Sequence, residues 1–115
     1  PTKDGTGVRD YIHVEDLAAA HVSAAEKLNN LSGTCVYNLG TGQGYSVLEI
    51  INTFESVTGK TVNYKITERR PGDIAECWAD ASHAKQQLGW TATKDLKEML
   101  EDAWRWQSNN PDGYE

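Results

Sequence analysis

Apolar positions recur along the chain at two spacings, and the alternation between them predicts an α/β or α+β-like small domain. VRDYIHV (8–14) alternates enough for a short strand. The spacing then widens: Val14, Leu17, Ala18, His21, Ala25 and Leu28 fall near one face of a helix over about 14–28. Glu15 and Asp16 suit its positive N-terminal end. CVYNLG (35–40) reads as a second strand, followed by a glycine loop. Ser46 and Glu49 then form a capping box, in which each side chain satisfies the other's backbone amide. Val47, Ile50, Ile51, Phe54 and Val57 are the apolar stripe of that helix, and Gly59 suits its left-handed stop. VNYKIT (62–67) alternates as a third strand. ASHAKQQLGW (81–90) holds a short helix closed by Gly89. A last helix runs from a cap at Asp95 to about Ser108, with Pro111 beyond it. The pattern is one domain, residues 1–115, of short strands alternating with about four helices.

Composition narrows the function classes. With 24 % charged residues in no long run of either sign, the chain reads as folded rather than disordered. Its net charge of −6 argues against a nucleic-acid partner. No stretch approaches the ~20 apolar residues that span a bilayer, so no membrane partner is expected. No signal peptide is seen, and Cys35 and Cys77 share no metal or redox spacing, which suits free thiols in a reducing cytoplasm. His13, His21 and His83 likewise share no ligand spacing, so no metal is expected, and His21 on a helix face reads as a packed residue.

Two stretches carry candidate chemistry. NLGTGQGYS (38–46) joins a strand to a capped helix, where nucleotide phosphates often bind. Gly40 and Gly42 match the first two glycines of G-x-G-x-x-G, but Tyr45 stands at the third position. The ordinary reading is a tight strand-to-helix turn, and an intermediate one lines a ligand cleft with backbone. The second stretch, ERRPGDIAECW (68–78), gathers two of the chain's four arginines at a Pro-Gly bend. Guanidinium forks suit phosphate oxygens. With Arg9 they could hold a diphosphate, and Asp73 could accept from a ribose hydroxyl.

DGTGVRDYIHVEDLAAAHVSAAEKL, VYNLGTGQGYSVLEII, RRPGDIAECWADASHAKQQLGW and the closing WRWQSNNPDGY together resemble the UDP-glucose 4-epimerase family of the extended short-chain dehydrogenase/reductases. The likeness runs over nearly all of the chain but covers only the C-terminal third of such an enzyme. In this family an N-terminal Rossmann domain binds NAD, and a Tyr-x-x-x-Lys pair performs the chemistry. None of the five tyrosines here has a lysine four residues later. The resemblance therefore implies no catalytic or cofactor-binding residue in this chain, and no epimerisation by this chain alone.

What the resemblance implies instead is a substrate half. Arg9 and Arg70 would hold the UDP diphosphate, Asp73 the uridine ribose, and Tyr11 and Val47 would line the nucleotide cleft. Cys77 falls at a gatekeeper position beside the sugar, where its small size would admit N-acetylated UDP-hexoses as well as UDP-glucose and UDP-galactose. NAD in the complete enzyme oxidises the sugar at C4, the keto sugar turns about the diphosphate, and hydride returns to the opposite face. Loss of the Rossmann half would expose an apolar interface and favour self-association. Two alternatives stay open: the C-terminal part of another nucleotide-sugar epimerase, dehydratase or decarboxylase, and a free-standing binding module. The WRWQSNNPDGY ending argues against the first.

Overall fold

The computed structural model describes residues 2–114. The chain forms a three-stranded sheet of two-residue strands: β1 (Val8–Arg9), β2 (Tyr45–Ser46) and β3 (Glu76–Cys77). The order is β2-β1-β3, with β1 antiparallel to β2 and parallel to β3. Four helices follow the chain: α1 (Val14–Glu26), α2 (Val47–Thr58), α3 (Ser82–Leu88) and α4 (Leu96–Asn109). A 3-10 turn, Leu28–Asn30, trails α1. The α/β class and the helix count agree with the sequence pattern. Among the described residues no helix is long and apolar enough to cross a membrane.

The strands depart from the pattern. VRDYIHV pairs only over its first two residues, and 35–40 and 62–67 form no ladder at all. A strand exists only where a neighbour accepts its backbone bonds. The periodic segments have no such neighbour here, and Val36, Tyr64 and Ile66 are exposed. β3 escaped the pattern because a polar dipeptide after a turn has no alternation to read.

The helix ends follow local chemistry. Ser46 caps α2 and Asp95 caps α4, each with its full capping box. Gly59 (φ 67°) and Gly89 (φ 70°) close α2 and α3 in the left-handed conformation. His13 caps α1 in place of a hydroxyl or carboxylate: its Nδ1 accepts from the Glu15 amide at 3.0 Å. That bond fixes the tautomer, so Nε2 donates to Asp102 Oδ2 at 3.1 Å and ties the start of α1 to α4.

The core is small: Ala20, Ala84, Leu88 and Trp90 cluster between α1 and α3, and Leu96 is buried at the start of α4. The Phe54 and Trp104 rings meet edge to face at 5.5 Å, where α2 packs on α4. The buried positions of α1 are Asp16 and Ala20. The expected stripe is rotated outward: Val14, Ala18, His21 and Ala25 are exposed, and Leu17 is half-buried. His21 is therefore not a packed core residue; its Nδ1 instead meets the Leu17 carbonyl at 2.8 Å. The cause is Asp16, whose carboxylate turns inward to accept three bonds from Thr93 and Lys94.

Candidate functional site

The glycine loop turns out to be filled from within. Asp10 follows β1 directly, and its carboxylate accepts from the Thr41 amide (2.9 Å), the Thr41 hydroxyl (2.7 Å), the Gly42 amide (2.9 Å) and the Ala79 amide (3.2 Å). These are the donors an anion would seek. Packing is close as well: a Cβ on Gly40 would lie 2.5 Å from Asp10 Oδ2 and 2.6 Å from the Ala79 Cβ. The N-terminus of α2 is equally occupied. Val47 N–H donates to the Gly7 carbonyl, Leu48 N–H to Thr6 Oγ1 and Glu49 N–H to Ser46 Oγ. The loop and helix that carry the partial dinucleotide fingerprint therefore do not fit a pyrophosphate. The segment is a turn closed on Asp10, but it does not follow a strand, since 35–40 pairs with no neighbour, and Gly40, Thr41 and Gly42 line a separate pocket of about 400 Å³.

The arginine bend opens on a different space. Arg9, Val47, Arg69, Arg70 and Asp73 line one cleft of about 450 Å³, together with Tyr64 and Ile66. The 62–67 segment thus has a place in the site, although its alternation predicts only a strand. Arg9 is held by backbone: Nη1 donates to the Val8 carbonyl at 2.7 Å and to that of Ala75 at 3.4 Å, and Nη2 to that of Ile74 at 2.9 Å. A guanidinium carries five N–H groups. Three bonds leave Nε and one Nη2 hydrogen for a ligand.

The bend itself is a turn, Arg70–Asp73, closed by the Asp73 amide on the Arg70 carbonyl at 3.3 Å. Gly72 has φ 87°, which a side chain rarely tolerates, and Pro71 presets the position before it. Arg70 Nε donates to Asp73 Oδ2 at 3.1 Å. Its side chain is 85 % exposed, so this pair contributes little to stability, and it engages Nε alone, with neither η nitrogen bonded to another described residue.

The other two expected residues lie apart from this cleft. Tyr11 is 36 % exposed and lines a larger groove of about 950 Å³ with His13, Asp102 and Trp106. A longer strand would have kept Tyr11 on the face of Arg9. The ladder ends at Arg9 and the Asp10 amide bond to the Cys77 carbonyl, and Tyr11 lies outside it. Cys77 is exposed on β3 as the register partner of Arg9, so it stands one strand away from that cation. Among the described residues no cluster of three or more His, Cys, Asp or Glu could hold a metal ion.

Comparison with known proteins agrees with the motifs. The family model described as GDP-mannose 4,6 dehydratase matches residues 2–103. UDP-glucose 4-epimerase of Bacillus subtilis is 62 % identical over 114 residues, which are 99 % of this chain and 34 % of that protein. A UDP-glucose 4-epimerase from Bifidobacterium longum, solved with NAD+ and UDP, superposes with a TM-score of 0.87 at 51 % identity, covering 98 % of this chain and 33 % of the other. The enzyme from Stenotrophomonas maltophila, with bound NAD and formylated UDP-arabinopyranose, gives 0.91 at 54 %, covering 96 % and 33 %. The chain thus spans about a third of the length of the relatives it matches. It belongs to the nucleotide-sugar family that this model describes, and corresponds to the C-terminal part of the UDP-glucose 4-epimerases within it.

Proposed function

We propose that this chain grips the UDP of a UDP-hexose in a cytoplasmic 4-epimerase that interconverts UDP-glucose and UDP-galactose. The observation that carries the reading is the convergence of Arg9, Arg70, Asp73 and Val47 on one cleft, from three separate parts of the sequence. Arg9 supplies a fixed cation and Arg70 an exposed one, which suits the two charges of a diphosphate. Asp73 offers a carboxylate oxygen to a ribose hydroxyl, and Val47, 44 % exposed, supplies apolar surface. Placing the binding energy on the UDP handle keeps the substrate anchored while the hexose turns. In the complete enzyme, NAD held by the portion outside this chain supplies the redox chemistry at C4, and by itself the 115-residue chain is inactive.

UDP titrated calorimetrically into the full-length enzyme that carries this chain tests the clamp. A hydrogen bond to a charged group contributes about 1.5–3 kcal/mol, so Arg70→Ala is expected to weaken UDP by at least about tenfold. Wild-type affinity should also fall with added salt. An unchanged Kd in the variant refutes the clamp.

Cys77 tunes the sugar side in this reading. Its small thiol, one strand from Arg9, leaves room for an acetamido group. Cys77→Tyr is expected to abolish turnover of UDP-N-acetylgalactosamine and to retain that of UDP-galactose. A wild-type enzyme that turns over only the unacetylated sugars removes this role.

The outward face of α1 supports a partner within the same protein. Val14 is 71 % exposed and Val22 58 %. This apolar face packs against the N-terminal portion in the complete enzyme, and in isolation it favours self-association.

A further inference from the structure

The two arginines of the bend are not equivalent. Arg69 does not turn its fork outward. Its Nε donates to the Asp73 carbonyl at 3.0 Å, and its Nη2 donates to the same oxygen. Arg70 uses only Nε, on the Asp73 carboxylate. Asp73 is thus the hub of the bend, with one guanidinium on its backbone and the other on its side chain. Just beyond it, Arg9 holds the Ile74 and Ala75 carbonyls. The far side of the loop is therefore pinned by Arg9, and the near side by Arg69.

We infer that Arg69 is a positioning residue for nucleotide binding: it closes the loop onto Asp73, so that the Asp73 carboxylate and the Arg70 η nitrogens are presented together to the cleft. This rests on the reading of Arg70 and Asp73 as the UDP clamp. The physical case is one of preorganisation. Residues 68–72 are all exposed, and the bend has little packing to hold it. Without the Arg69 staple, the 3.3 Å turn bond and the exposed Arg70–Asp73 pair are the hydrogen bonds left within residues 70–73, Arg9 holding only the chain beyond them. A ligand would then have to order the loop as it binds, and affinity would fall by that cost. Lysine is a poor replacement, because a single ammonium cannot place two nitrogens of a rigid fork on one carbonyl.

A double-mutant cycle in the full-length enzyme separates positioning from direct contact. Arg69→Ala is expected to weaken UDP about tenfold and to raise KM for the UDP-sugar with kcat and the thermal midpoint unchanged. Arg69→Lys should recover only part of the loss. In an Arg70→Ala/Asp73→Ala background, the same Arg69→Ala change should alter the UDP Kd less than twofold, since nothing remains to be positioned. A tenfold loss that persists in that background would make Arg69 a direct phosphate ligand and overturn the inference, as would an Arg69→Ala enzyme of unchanged affinity. If Arg70→Ala itself leaves UDP binding intact, the clamp reading falls, and this role falls with it.

Discussion

Asp10→Ala is expected to destabilise the fold by roughly 3–4 kcal/mol, since it strips the partner from four donors at once and leaves the amides of half-buried Thr41 and Ala79 unpaired, while that of exposed Gly42 turns to water. The donors are the Thr41 amide and hydroxyl and the amides of Gly42 and Ala79. They belong to two segments far apart in sequence, so the carboxylate is the link between the glycine loop, β1 and the stretch after β3. The space is already tight around Gly40, and little collapse can compensate. Asp10→Asn keeps one acceptor oxygen but turns an NH2 group toward an amide donor, so it should recover less than half of the loss. Urea unfolding of the three proteins measures this. A change below about 1 kcal/mol for the alanine variant would mean that water replaces the carboxylate without cost, and that the loop is free to take an anion. The function should suffer as well, because Arg9 precedes Asp10 directly and the Asp10 amide donates to the Cys77 carbonyl at 3.1 Å.

What the sequence showed plainly was what is local. The capping boxes at Ser46–Glu49 and Asp95–Glu98 and the stops at Gly59 and Gly89 depend on residues three or four apart, and each forms as expected. Strands depend on partners that no local pattern names. The alternation of 35–40 and 62–67 is real, yet neither pairs here, whereas Glu76–Cys77 pairs without any alternation. The face of α1 was misread for a related reason. Asp16 suits the positive end of the helix, as its position predicts, but the partners that bury it lie 77 and 78 residues away. In the site, motif resemblance brought out Arg9, Arg70 and Asp73, and these share a cleft. It singled out Arg70 through its spacing to Gly72 and Asp73 but gave Arg69 no role, because the bond from Arg69 to the Asp73 carbonyl depends on how the turn folds. Nor could it show that the glycine loop is closed by Asp10, a contact between segments about 30 residues apart.

Asp16 carries the other large expected effect, and its sign with pH can be worked out. The residue is 5 % exposed, and it accepts from the Thr93 amide (3.0 Å), the Thr93 hydroxyl (2.9 Å) and the Lys94 amide (2.9 Å). Its own carbonyl takes the Trp90 indole N–H at 2.9 Å, so the docking site extends into the core. Burial is the largest single influence and pushes the carboxyl pKa up. The amides of Lys94 and Thr93, the Thr93 hydroxyl and the nearby His13 together outweigh it, and the pKa lies below the usual carboxylate range. A depressed folded pKa means that the charged form favours the native state. The stability gained is fully present above the unfolded value, near 4, and is lost as pH falls through the lower folded value. Asp16→Asn removes this dependence and opposes an NH2 group to an amide donor, so it is expected to cost about 3 kcal/mol at neutral pH. Denaturant unfolding from pH 7 to pH 2.5 should show the gap between wild type and Asp16→Asn narrowing below about pH 4. A gap that stays constant over that range would mean that the charge on Asp16 is immaterial, and that only its shape joins α1 to the start of α4.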